Sequence, residues 1–142
     1  MHDWQELYQE VILEHNRNPQ NFGVISAPDR VARGYNANCG DDICLFLKLS
    51  GNEIEEIKFS GEGCAISRAS ASLLTLAVEK LPKSQAQQRA EEMLALLTGK
   101  KQDADSVPCL RSQLPLLGVR KFPMRIKCAT LPWHALLEAL AN

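Results

Sequence analysis

The hydrophobic positions change period twice along the chain, and each change marks a class of element. At the N-terminus Trp4, Leu7, Tyr8, Val11, Ile12 and His15 recur every three or four residues. That spacing predicts an amphipathic helix from Asp3 to about Asn16, with Asp3 and Glu6 placed as a capping box. The run Arg17-Asn18-Pro19-Gln20-Asn21-Phe22-Gly23 ends it with loop-forming residues. The period then becomes two. Val31 to Asn36 reads as a modest strand. Ile43, Leu45, Leu47 and Leu49 alternate with Cys44, Phe46, Lys48 and Ser50, the pattern of a half-buried strand. Ser50-Gly51-Asn52 is a hairpin turn, and Ile54 to Phe59 is the returning strand.

A glycine-rich turn, Ser60-Gly61-Glu62-Gly63, leads into Cys64, and the helical period resumes from Ala65 to about Leu81. Small residues dominate the first turns of that helix, so it can lie close to a sheet. Pro82-Lys83-Ser84 starts the next helix. Ala86, Ala90, Met93, Leu94 and Leu97 mark its buried face, and Gly99 its end. Lys100 to Asp105 reads as a mobile polar segment. A short helix is expected over Leu110–Leu117, stopped by Gly118. Phe122-Pro123 opens a last helical region that Pro132 is expected to break. The whole is an α+β layout: a three-stranded antiparallel sheet packed against several helices.

Composition narrows the function classes. The chain has 142 residues, 45% of them hydrophobic and 23% charged, with a net charge of −1. This suits a single domain spanning 1–142. Without a basic excess, nucleic acid and anionic membrane are poor partners. No apolar run reaches membrane-spanning length, and the N-terminal residues do not read as a signal peptide, so the expected location is the cytoplasm.

Five cysteines, at 39, 44, 64, 109 and 128, are an odd and irregularly spaced set with no CxxC. Metal or thiol chemistry fits them better than a disulfide framework. Cys39 and Asp41 flank Gly40, whose free φ permits a turn tight enough for both to reach one ion. Cys64 sits at a helix start, where unpaired N–H groups and the helix dipole favour a thiolate, and Cys128 lies near the start of the last helical region. Three thiolates and one carboxylate form a four-ligand set suited to Zn²⁺ or an iron–sulfur cluster. Arg68, Arg120, Lys121, Arg125 and Lys127 are the cations available to offset its charge. Cys44 and Cys109 are expected to be buried small hydrophobes, and His15 a core or capping histidine.

Four segments carry a resemblance that runs nearly end to end: Asn18–Gly23; Cys39-Gly40-Asp41; Gly61-Glu62-Gly63-Cys64-Ala65-Ile66-Ser67-Arg68-Ala69-Ser70; and Phe122-Pro123-Met124-Arg125-Ile126-Lys127-Cys128-Ala129-Thr130-Leu131 with Trp133. They resemble the NifU-like/IscU iron–sulfur cluster assembly family, in its SufU branch. Lys127 stands where IscU-type scaffolds carry histidine, and the Cys64–Cys128 segment is longer than theirs. The resemblance implies metal ligation by Cys39, Asp41, Cys64 and Cys128, and bound zinc. It also implies that Cys39 accepts persulfide sulfur from a cysteine desulfurase and that the sulfur passes to downstream iron–sulfur assembly proteins. Arg125, which could stabilise the displaced Cys39 thiolate, and Lys127 are the candidate supporting residues. The alternative is a scaffold holding iron or a [2Fe–2S] cluster on the same ligands. Ala37, where the family usually has proline, and Pro132 are departures from the pattern.

Overall fold

The computed structural model describes residues 4–102 and 108–141. Helix α1 (Trp4–Arg17) precedes strands β1 (Arg30–Asn36), β2 (Asp41–Ser50) and β3 (Glu53–Glu62). Then come α2 (Ala65–Val78), α3 (Lys83–Leu97), a succession of 3₁₀ turns over Pro108–Lys121, a single 3₁₀ turn at Pro123–Arg125, and α4 (Ile126–Leu140). The strands form one antiparallel sheet in the order β1-β2-β3. Along β2, Ile43, Leu45 and Leu47 are buried while Cys44, Phe46 and Lys48 point to the other, half-exposed face. The helices cover the first face, and Phe59, Leu73, Leu74, Met93, Leu96 and Trp133 complete the core between the layers. No helix among the described residues is long and apolar enough to cross a membrane.

Two register facts position the chemistry. Asn36 pairs with Asp41, so residues 37–40 form the β1–β2 hairpin loop and carry Cys39. Asp42 pairs with Glu62, so the stretch expected to be a turn at Ser60–Gly63 is largely strand. Its hydrogen bonds to β2 outweigh the turn preference of its glycines. The longer β3 delivers Gly63 and Cys64 beside Asp41.

Three other expectations change, each for a local reason. Helix α2 ends at Val78 rather than Leu81, because the next residues turn to bond the start of β3: the Lys80 N–H donates to the Ile54 carbonyl at 2.9 Å, and the Ile54 N–H to the Leu81 carbonyl at 2.8 Å. The segment after Pro108 is 3₁₀ and continues past Gly118 to Lys121. Pro115 lacks the N–H an α-helix would need there, and Gly118 is a packing residue, since a Cβ on it would lie 2.5 Å from Tyr8 Cγ. The Asp3 cap and Asp103–Asp105 lie outside the described residues.

The largest difference is α4, which runs unbroken through Pro132. A proline inside a helix costs about 3 kcal/mol, and tertiary contacts offset it here. The Ser70 hydroxyl donates to the Ala129 carbonyl at 2.6 Å and accepts from Trp133 Nε1 at 2.9 Å, tying α2 to α4 on both sides of the proline. Trp133 and Ser70 are fully buried. Ser70→Ala leaves the indole N–H without an acceptor in the core and should cost about 1–3 kcal/mol. Urea unfolding checks this, and an unchanged midpoint would contradict the bridging role.

A candidate metal centre of cysteine and aspartate

Cys39, Asp41 and Cys128 each place a ligand atom within 4.8 Å of the others. They come from a hairpin loop, the first residue of β2 and the first turn of α4. Cys39 and Cys128 bring their sulfurs to 3.1 Å. Cys64, the residue before α2, lines the same cleft of about 490 Å³ as Cys39, Asn36, Asn38, Met124, Arg125 and Lys127. Its sulfur is not part of the three-residue group. The N-termini of α2 and α4 both open on the site, which favours anions there.

Asp41 is the most constrained member. It is fully buried, and its Oδ1 accepts from the Cys64 N–H at 2.9 Å and from the Ser67 hydroxyl at 3.0 Å. Burial alone would raise its pKa. The donors at Cys64, Cys128 and Ser67 outweigh burial, and the carboxyl stays below its ordinary range. Oδ2 receives a long 3.5 Å contact from Asn36 Nδ2, and the carboxylate keeps an oxygen available to a cation beside the sulfurs of Cys39 and Cys128. Gly63 makes this approach possible: a Cβ there would lie 2.5 Å from Ser67 Oγ and 2.8 Å from Asp41 Oδ1.

Cys128 is fully buried. Without a cation, burial, reinforced by hydrogen bonds to Cys39 and Asp41, pushes its thiol pKa up. Cys39 is only half-buried. Its loop is held by long hydrogen bonds, Cys39 N–H to Asn36 O at 3.3 Å and Gly40 N–H to Ala37 O at 3.4 Å, and Gly40 takes φ +69°. The donor set of two thiols and an ionised carboxylate oxygen suits a borderline-soft divalent ion such as zinc.

The expected cationic surround is narrower than the sequence suggests. Arg125 Nη1 lies 3.9 Å from Cys39 Sγ, and Lys127 lines the cleft. Arg120 instead donates to the Leu96 carbonyl at 3.2 Å, Lys121 borders a separate cleft beside Tyr8 and Phe122, and Arg68 stacks over Phe22. Cys44 is half-buried on the outer face of the sheet and Cys109 is exposed, so neither is a core residue. His15 bonds the Ser72 hydroxyl at 2.7 Å, and burial lowers its pKa below the ordinary histidine value, as befits a structural histidine. Sequence reasoning missed Ser67 and Asn36. Ser67 stands three residues after a helix-capping cysteine, a position where a hydroxyl faces back to the helix start, and that spacing was the available signal.

The family description "NifU-like N terminal domain" matches residues 7–129. Over 136 residues the chain is 44% identical to the zinc-dependent sulfurtransferase SufU of Bacillus subtilis, covering 96% of this chain and 90% of that protein. It is 39% identical over 134 residues to the iron–sulfur cluster assembly scaffold protein IscU of Streptococcus pyogenes, covering 94% and 82%. The crystal structure of a protein described as an iron–sulfur cluster assembly scaffold protein for the SUF system (FiSufU), from Fervidobacterium islandicum, superimposes with a TM-score of 0.87 at 31% identity, covering 96% of this chain and 98% of the other. The fold is the one shared by SufU and IscU, and the chain belongs to the NifU-like family of iron–sulfur cluster assembly proteins that contains them.

Ser67→Ala removes one of the two hydrogen bonds that fix Asp41 Oδ1. Loss of such an outer partner typically weakens metal binding by about 10–100-fold. Competition for zinc against a chromogenic chelator should show a drop of that order with the fold intact, and unchanged affinity would contradict the brace.

Proposed function

We propose that this chain is a zinc-dependent sulfur acceptor that takes persulfide sulfur from a cysteine desulfurase and passes it to downstream iron–sulfur assembly proteins. Cys39, Asp41, Cys64 and Cys128 hold the metal, with Cys64 as the fourth ligand from the wall of the cleft. One observation carries the reading: the ligands are unequally held. Asp41 and Cys128 are fully buried and Asp41 is braced by two donors. Cys39 is half-buried on a loosely bonded loop that faces the open cleft. It is the ligand that can swing toward a partner while buried Asp41 and Cys128 stay. Similarity to a protein named as a zinc-dependent sulfurtransferase supports the same reading.

Bound zinc would keep the thiolates deprotonated and temper their reactivity. The Cys39 thiolate, once free to turn outward, attacks the terminal sulfur of the desulfurase persulfide. A sulfur–sulfur bond forms at Cys39, the enzyme's sulfur–sulfur bond breaks, and the enzyme cysteine leaves as thiolate. Arg125, within 3.9 Å of Cys39 Sγ, offsets the negative charge of the displaced sulfur, and Lys127 adds a second cation at the rim.

The second reading is a scaffold on which a [2Fe–2S] cluster is assembled, favoured by the similarity to a protein named as an IscU scaffold. The two separate on what Cys39 does. In Cys39→Ser, sulfur accepted from a desulfurase, read by mass as a persulfide adduct, should disappear while the protein stays folded. Acceptance at the normal rate would sink the sulfur-acceptor reading.

A further inference from the structure

The 3.1 Å separation of the Cys39 and Cys128 sulfurs has chemistry of its own once Cys39 carries a second sulfur. A disulfide is about 2.0 Å long, so about 1 Å of movement would join the two. The Cys39 loop has that freedom, since its three hydrogen bonds are all 3.3–3.4 Å long and nothing lies within 4 Å of where a Gly40 Cβ would stand. Cys128 is fixed by complete burial in the first turn of α4. Cys64 is outside the group of ligand atoms that lie within 4.8 Å of one another, and its sulfur faces Ser67 Oγ at 3.9 Å.

We propose that Cys128 is the resolving thiol for a persulfide on Cys39, discharging it as hydrogen sulfide whenever Cys128 is not engaged by a metal ion. This rests on Cys39 being the persulfide carrier. The step balances without an outside oxidant. Cys128 gives up its proton, and its sulfur attacks Cys39 Sγ. The bond from Cys39 Sγ to the terminal sulfur breaks, and that sulfur leaves with the electron pair and takes a proton. Cys39–S–SH and Cys128–SH become the Cys39–Cys128 disulfide and H₂S. The two cysteine sulfurs are oxidised, the sulfane sulfur is reduced, and an external dithiol returns the pair to thiols. Metal occupancy then decides the form in which sulfur leaves: as transferable persulfide when Cys128 is ligated, as free sulfide when it is not.

The test loads Cys39 with a small-molecule polysulfide, removes the excess, and follows intact mass and released sulfide in zinc-loaded and chelator-stripped full-length chain. Circular dichroism establishes that the stripped chain is folded. In the stripped chain, the mass gain of one sulfur atom should give way to a loss of two hydrogens, with equimolar sulfide and a linked Cys39–Cys128 peptide pair. The extra sulfur should persist in the zinc-loaded chain and in stripped Cys128→Ser. A persulfide mapped to Cys39 that survives in the stripped wild-type chain, a Cys39–Cys64 link, or undiminished sulfide release from Cys128→Ser would each overturn the proposal; sulfur retained on exposed Cys109 is told apart by the same peptide map. The peptide mapping uses wild-type protein, so it stands if the variant fails to fold. Because polysulfide bypasses the desulfurase, failure of a desulfurase to load Cys39 would overturn the sulfur-acceptor reading without touching this one.

Discussion

The structure depends on one buried carboxylate. Asp41 begins β2, and its Oδ1 accepts both the backbone N–H of Cys64 and the hydroxyl of Ser67. A buried, ionised carboxylate is costly unless its lone pairs are met, and the start of α2 meets them. The same two hydrogen bonds join the sheet to the helix layer and set where Cys64 stands. The same carboxylate keeps an oxygen within 4.8 Å of the sulfurs of Cys39 and Cys128. The carboxylate that anchors the fold is thus also a member of the candidate metal site.

The fourth segment, α4, reaches the site from the far end of the chain, and its position is set a turn or more away from the ligands. Ser70 bridges Ala129 and Trp133 across Pro132, holding α4 straight enough that Cys128 in its first turn faces the hairpin loop. Gly34 takes part in the same docking, since a Cβ there would lie 2.9 Å from Leu131 Cγ. Rigid support below and a loose loop above give the candidate ligands unequal freedom, the property on which the proposed exchange at Cys39 rests.

Much of this was legible in the sequence where a local pattern carried it. The alternation through Ile43, Leu45 and Leu47 placed β2, the tight Cys39-Gly40-Asp41 turn marked the loop, and Cys64 read as a helix start. What escaped was set by contacts between distant segments. The glycines of Ser60–Gly63 suggest a turn, and only pairing with β2 makes them strand. Pro132 suggests a break, and only Ser70, on another helix, cancels it. Arg120 sits near Cys128 in sequence yet spends its guanidinium on the Leu96 carbonyl, because the 3₁₀ turns between them point it away. Charge near in sequence is not charge near in space.

The measurement that bears most directly on the central claim is metal analysis of the protein purified without air, combined with X-ray absorption at the metal edge. The account predicts equimolar zinc in a colourless protein, bound by three sulfurs and one oxygen. Iron with acid-labile sulfide in place of zinc, or a zinc site lacking the carboxylate oxygen, would contradict it.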